Sequence, residues 1–254
     1  DQLGNQTTAQ TTVDRAAKTL TQTVNHPDSS TPEVTTTVDG LLTSTQSKTG
    51  VTMTYTYDGL ERQVGVTDPR TGTSVTHYDV TTGQVDYVED AATNRTSFTY
   101  DATTGRKLTE TNALNQVTRF GYDTQGRVTH VWGDVPYPVR YTFDTYGRLH
   151  LMDTWRSGTG WNAATFPTNM EASKDTTTWN YQEATGLLTS KTDAAGRSVN
   201  YTYTMGGKLL TRTWARNSGT LITTYAYDAN TGELTGITYS DSTPVVSFTY
   251  DRLG

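Results

Sequence analysis

A ten-residue stretch, residues 100 to 109, recurs in related form along most of the chain and constrains the fold more than any other feature. Each copy has an aromatic lead residue, usually followed by Asp, a short polar spacer, Gly and a strand-forming residue. The lead residues are Tyr57, Tyr78, Tyr100, Tyr122, Phe143, Tyr181, Tyr203, Tyr227 and Tyr250. They are 21 to 24 residues apart, except for one step of 38 residues after Phe143. A period of this length indicates a repeat architecture.

Each unit predicts two short strands with a turn at either end. The lead residue and the residue two before it are both aromatic in most copies, as at Phe98 and Tyr100. This alternation places both rings on one face of a strand. In the turn, Asp accepts hydrogen bonds from the following backbone and Gly supplies a positive φ. The turn residues so predicted are Asp58, Asp79, Asp101, Gly105, Asp123, Gly126, Asp144, Gly147, Gly186, Asp228, Gly232 and Asp251. Gln182 and Thr204 replace Asp in two copies.

These units predict an all-β fold, in which repeated antiparallel hairpins form one long curved or spiralling sheet. The aromatic residues are expected to form a ladder down one face. Apolar residues are only 33% of the chain and Thr is the most frequent residue. Because Thr is both β-branched and polar, this composition favours a thin, solvated sheet over a thick core.

The pattern of Tyr-Asp, spacer, Gly, Arg and Leu, at a step near 21, resembles the YD-repeat or Rhs-repeat family over residues 38 to 254. In that family the repeats form a β-ribbon that spirals into a hollow shell. Members include bacterial Rhs toxins, the B and C components of insecticidal toxin complexes, and the teneurins of animals. The resemblance implies a non-enzymatic shell segment that encloses or presents a toxin or other cargo domain of the same full-length protein. It also implies a secreted or cell-surface location.

We expect residues 1–254 to form a single repeat array that is a fragment of a larger protein, because both ends fall inside a unit. Residues 1–50 resemble degenerate repeats, present either as eroded strands or as a partly mobile end. Unpaired strands at the ends of such an array could support edge-mediated self-association.

Residues 150–180 contain the extra length of the long step and are interpreted as an insertion within the array. Three of the five Trp residues of the chain lie there, at Trp155, Trp161 and Trp179. Trp rings can stack on a sugar or a planar group, so the insertion could bind a glycan or a cell-surface protein. Alternatively, the loop folds back and covers part of the aromatic face.

Other function classes find little support. The four His residues lack metal-site spacing, no Ser lies in a nucleophile elbow, and Cys is absent. We therefore predict no catalytic residue, metal site or cofactor. With a net charge of −6 and no basic run, nucleic-acid binding is disfavoured. No apolar stretch is long enough to span a bilayer.

Overall fold

A computed structural model of the chain describes residues 6–28, 30–135, 137–155, 160–167, 173–216 and 219–251. The chain divides into two compact units, Asp1–Val117 and Thr118–Gly254. The outermost residues, on which the fragment interpretation depends, lie outside the described ranges, as do residues 156–159 and 168–172 of the insertion.

Ten strands make up the first unit. They are β1 (Thr8–Asp14), β2 (Thr19–Asn25), β3 (Glu33–Val38), β4 (Leu41–Gln46), β5 (Thr52–Tyr57), β6 (Gln63–Asp68), β7 (Gly72–Tyr78), β8 (Val85–Glu89), β9 (Arg95–Tyr100) and β10 (Lys107–Thr111). Strands β1 to β4 occupy the range expected to hold degenerate repeats. The described part of this range therefore consists of strands rather than of a mobile end.

Eleven strands follow, the first of them beginning at the unit boundary. They are β11 (Val117–Tyr122), β12 (Val128–Gly133), β13 (Val139–Phe143), β14 (Leu149–Trp155), β15 (Lys174–Tyr181), β16 (Leu188–Thr192), β17 (Ser198–Tyr203), β18 (Leu209–Thr213), β19 (Ile222–Tyr227), β20 (Leu234–Tyr239) and β21 (Val246–Ser247).

Within each unit, consecutive strands pair antiparallel in chain order, so that every strand is hydrogen-bonded to its sequence neighbours in that unit. The prediction of an all-β fold built from repeated antiparallel hairpins is confirmed. In the described residues no helix is long and apolar enough to cross a membrane.

A β-bulge accompanies the lead residue in most hairpins. The pairing of β5 with β6 shifts register between Thr56 and Tyr57, and the same shift occurs just before Tyr122 and Tyr203. One residue of the second strand is thereby left without a cross-strand partner. Since bulges increase local twist, the recurrence of this one adds the same twist at each hairpin.

The two faces of the strands differ in exposure, as the alternation predicts. In β5, Tyr55 and Tyr57 are half-buried, whereas the alternating residues Thr54 and Thr56 are exposed. We call the face that carries the lead residues the aromatic face. Full burial is rare and is concentrated at Trp132, Trp155 and Asp153 on strands β12 and β14.

Candidate functional site

The turn after each lead residue is closed by the Asp carboxylate. In the shorter form, Oδ1 of Asp144 accepts hydrogen bonds from the N–H groups of Tyr146 and Arg148, both at 2.9 Å. In the longer form, Oδ1 of Asp101 accepts from the N–H groups of Thr103 and Thr104, at 3.1 and 2.7 Å. The same two patterns recur at Asp58, Asp79, Asp123 and Asp228.

These hydrogen bonds keep the turn carboxylates ionised. The N–H and hydroxyl groups of Thr104 lower the pKa of Asp101 below its ordinary value, and those of Thr82 do so for Asp79. At Asp123, partial burial acts in the opposite direction, but hydrogen bonds from Arg127 leave the pKa of the carboxyl lowered. The carboxylates are thus explained by the turns that they close.

The hydroxyls of most lead Tyr residues reach back to the preceding hairpin. The hydroxyl of Tyr203 donates to the carbonyl oxygen of Leu188 at 2.8 Å, and that of Tyr227 donates to Leu209 at 2.8 Å. In both cases the acceptor lies two residues after the turn Gly of the preceding unit. The remaining bonds of this type, to equivalent acceptors, are made by Tyr57, Tyr78, Tyr100, Tyr181 and Tyr250. We call these contacts the backward bonds.

A second kind of contact joins a hairpin to the one that follows it. It is made by the residue directly after the last position of the turn. The guanidinium of Arg62 lies 4.1 Å from the ring centroid of Tyr78 and donates to the carbonyl oxygen of Gly83 at 3.1 Å. Gln84 donates to the carbonyl oxygen of Gly105 at 2.7 Å. We call a residue at this position a forward residue; the others considered below are Arg127, Arg148, Leu187 and Lys208.

The forward Arg residues are held from both sides. Nε of Arg148 donates to Asp144 of its own turn at 2.7 Å, while its guanidinium lies 4.5 Å from the ring centroid of Tyr181. Arg127 makes the equivalent pair of contacts with Asp123 and Phe143, at 2.6 and 4.4 Å. In these pairs the lead ring is covered by a cation from the preceding hairpin, a contact that the expected aromatic ladder did not include.

Gly is required at the turn position that meets a forward Arg. Gly147 has a φ of +84°, and a Cβ atom there would lie 2.9 Å from Nη1 of Arg127. A side chain would therefore be strained by the backbone and would displace the guanidinium. Turn, lead ring and forward residue thus form one interlocking unit.

The insertion covers the face opposite the aromatic face. Cross-strand register places His130, Arg140, Asp153 and Thr176 in one row on that opposite face of β12 to β15. Phe166 packs here, with its ring centroid 4.5 Å from that of His130. The described residues 160–167 thus fold back onto the sheet, but on the face opposite the aromatic face that the alternative had named.

Two Trp residues complete this cluster. The ring of Phe166 lies 5.7 Å from Trp132 and 5.6 Å from Trp155, both in edge-on contact. The indole N–H of Trp132 donates to the carbonyl oxygen of Ala163 in the insertion at 2.9 Å. We call these three aromatic residues the Phe166 cluster.

A buried carboxylate lies beside the Phe166 cluster. Asp153 is only 2% exposed, and its Oδ2 accepts from Nε and Nη2 of Arg140 at 3.0 and 2.6 Å. Its Oδ1 accepts from the hydroxyl of Thr176 at 2.6 Å, and Nζ of Lys174 lies 3.7 Å from Oδ2. Both oxygens of this carboxylate are therefore engaged by side chains of the sheet.

The three Trp residues proposed for ligand binding occupy different environments. Trp155 is 2% exposed, so neither of its ring faces is open to solvent. Trp179 lies on the aromatic face, 5.0 Å from Nζ of Lys191. Trp161 is half-buried in edge-on contact with Tyr137, at 5.1 Å. Ligand binding at these residues stays a prediction, but the structure does not bring the three rings into one groove.

Sequence reasoning missed a second aromatic site at β18 and β19. Trp214 stacks on Arg212, whose guanidinium lies 3.6 Å from the ring centroid, and donates to the hydroxyl of Thr223 at 2.8 Å. It lines a small cavity of about 220 Å³ together with Tyr239 and Asp241. The spacing of two between Arg212, in β18, and Trp214, directly after it, was the available signal. Among the described residues no group of three or more His, Asp or Glu side chains is arranged to hold a metal ion.

No protein-family model and no curated protein sequence matches the chain. Two solved structures are similar to it over 98% of its length at 15% sequence identity. They are the crystal structures of TcdB2-TccC3-Cdc42, with a TM-score of 0.51, and of TcdB2-TccC3 without its hypervariable C-terminal region, with a TM-score of 0.50. The chain spans only 18% and 17% of those two chains. At this identity the likeness concerns the fold, which the chain shares with a segment of TcdB2-TccC3.

Proposed function

We propose that this chain is a non-enzymatic segment of a β-shell that encloses or presents a toxin or other cargo domain. The observation that carries the proposal is the repetition of the backward bonds and forward contacts from one hairpin to the next. Because many hairpins are joined to their neighbours by contacts of the same kind, the array is suited to extend as a continuous wall.

The chemistry of the side chains also supports a structural role. The turn carboxylates are engaged by their own turns, and the buried Asp153 is engaged by Arg140 and Thr176. The shared fold with TcdB2-TccC3, of which this chain spans less than a fifth, agrees with a segment of a longer wall. By analogy with the hypervariable C-terminal region of that protein, the cargo would be a variable segment of the same full-length protein. A secreted or cell-surface location belongs to the same proposal.

Electron cryomicroscopy of the natural full-length protein tests this function. We expect the strands described here to form part of a wall around an enclosed volume that holds density for another segment. An open surface with no enclosed volume, and with the aromatic face in contact with solvent, would overturn the proposal.

Limited proteolysis of the same protein gives a second readout. A cargo segment behind the wall should resist cleavage until the wall is weakened, for example by Arg62→Leu combined with Arg148→Leu. Gln125→Ala, at an exposed turn position, is the control and should leave the protection intact. Cargo that is cleaved at the same rate in all three proteins would contradict enclosure.

A further inference from the structure

At the junction between β16 and β17 the forward residue carries no cation. The forward residue there is Leu187, which follows the turn between β15 and β16. Arg148 and Lys208, at the same position in the neighbouring units, cover the lead rings of Tyr181 and Tyr227. Leu187 has no cation or hydrogen-bond donor to offer to the next hairpin. Its side chain only approaches Gly207, where a Cβ atom would lie 3.9 Å from Leu187 Cδ1.

The two turns that flank this junction are also the two that lack Asp. At Gln182 the side-chain oxygen accepts from the hydroxyl of Thr185, at 2.8 Å, in place of the backbone N–H groups. At Thr204 the hydroxyl accepts a single backbone bond, from Lys208 at 3.1 Å. Three departures from the repeat pattern therefore meet at one place, which we call the Leu187 junction.

The next junction along the chain, the Lys208 junction, is a close internal comparison. The β16–β17 and β18–β19 ladders each contain three residue pairs. Both junctions have a backward bond of 2.8 Å, from Tyr203 and from Tyr227. They differ in the forward residue, because Lys208 also donates to the carbonyl oxygen of Gly232.

We infer that the Leu187 junction opens more readily than the Lys208 junction, with strands β16 and β17 separating at the edge that carries the lead residues. The opposite edge stays closed, since Asp193 accepts from the N–H groups of Ala195 and Arg197 and is ion-paired with Arg197 at 2.8 Å. The junction thus opens about that turn as a hinge. An aliphatic forward residue does not replace the missing contacts by apolar packing. The stem of an Arg covers apolar surface as well, and its head group makes the cation–π contact and the hydrogen bond in addition.

Hydrogen exchange measured by mass spectrometry on the folded chain tests this inference. Local opening governs amide exchange in native proteins. We expect strand β17 to exchange about fivefold faster than strand β19 after correction for intrinsic rates, as the loss of one cation–π contact and one hydrogen bond implies. Equal protection of the two strands would overturn the inference, and so would slower exchange of β17.

Two substitutions test the cause from opposite directions. Leu187→Arg should slow the exchange of β17 to the rate of β19, whereas Lys208→Leu should accelerate β19 to the rate of β17. Ala184→Arg is the matched control, because it adds the same charge at an exposed position of the same turn and should change neither strand. If Leu187→Arg fails to fold, Lys208→Leu decides alone; unchanged exchange of β19 in that variant would overturn the inference. The test concerns the junction itself and does not depend on what the proposed wall encloses.

Discussion

A backward bond joins the hairpin of a lead Tyr to the preceding hairpin, as at Tyr227. Replacing Tyr227 by Phe removes the donor to Leu209 and leaves the ring in place. We expect the free energy of unfolding to fall by about 1 kcal/mol, the usual net contribution of one hydrogen bond, as measured by urea denaturation. Tyr225→Phe is the control. Among the described residues, the Tyr225 hydroxyl has no hydrogen-bond partner. Equal losses in both variants would contradict the role of the backward bond.

The turn carboxylates make stability sensitive to acid. Their pKa values are lowered in the folded protein, as at Asp79 and Asp101, and Arg70 lowers the pKa of Asp68 to about 2. A lowered folded pKa means that the stabilisation is complete above the unfolded value near 4 and is lost as pH falls through the folded value. Melting temperatures should therefore be insensitive to these groups from pH 7 to 5 and should fall below about pH 4.

A variant with fewer of these groups provides the control for the acid effect. Asp79→Asn combined with Asp101→Asn should melt at a lower temperature at pH 7 and show a shallower decline between pH 4 and pH 2.5. Parallel pH profiles of the variant and the natural chain would contradict the assignment to these carboxylates.

The roles of Asp and Gly could be predicted from sequence because they are local, involving a side chain and a backbone within five residues. The contacts of Arg62 and Arg148 with the next hairpin could not, since they join residues 16 or more positions apart through the fold. Sequence reasoning expected rings to meet rings along the sheet, whereas cations cover several of the lead rings. The signal was present, because a basic residue follows the turn in most copies.

Among the structural elements, the insertion is the one for which the sequence predicted the presence but not the position on the sheet. Its existence followed from one long step in the repeat, and so did the possibility that it folds back. The face that it covers depends on the β-bulges and on the register of β12 to β15, which no local pattern encodes. Trp132, Phe166 and Asp153 were therefore not predicted to meet.

Phe166 is expected to hold the insertion on the sheet. Phe166→Ala should lower the free energy of unfolding by about 3 kcal/mol, the lower end of the range for such truncations, because the ring is half-buried. It should also shift Trp fluorescence to longer wavelength, since Trp132 and Trp155 lose their cover. Phe248→Ala, at a position that is 38% exposed, is the control and should do neither. An unchanged emission maximum in Phe166→Ala would count against docking of the loop.

Removing the buried carboxylate should be costly. Asp153→Ala removes the carboxylate to which Arg140 donates beside Trp155, and we expect a loss of about 3 to 5 kcal/mol in chemical denaturation. Replacing both members by Leu should recover part of that loss, because a buried ion pair is often matched by apolar packing. If the double variant is no more stable than Asp153→Ala, the loss does not arise from an unpaired charge.

At the scale of a whole unit, the fold is a stack in which each hairpin contacts only its neighbours. Stability of such arrays is roughly a sum of repeat and junction contributions. The sequence predicted this arrangement well, because the period fixes both the number of strands and their alternating direction. It did not predict which junctions are strong, since that depends on whether a forward residue meets the next lead ring.

Deletion of one whole repeat tests the stacking principle directly. Removing residues 182–203 takes out β16 and β17 and joins Tyr181 to the turn that begins at Thr204. The forward contacts on either side of the deleted residues, from Arg148 and Lys208, keep their partners. We expect this variant to retain its β-sheet circular dichroism and to melt cooperatively. The deletion also removes the Leu187 junction, so its cost should be smaller than that of losing a repeat with intact contacts.

Deletion of half a repeat should have the opposite outcome. Removing residues 182–192 takes out β16 alone, so β17 would have to run in the reverse direction to pair with β15. The turn after Tyr203 would then lie at the wrong edge, and its backward bond and the forward contact of Lys208 would both be lost. We therefore expect the shorter deletion to destabilise the unit far more than the longer one. In a fold built from interchangeable hairpins, direction and register, rather than length, decide whether neighbouring hairpins can join. A lower melting temperature for the twenty-two-residue deletion than for the eleven-residue deletion would therefore contradict such a fold.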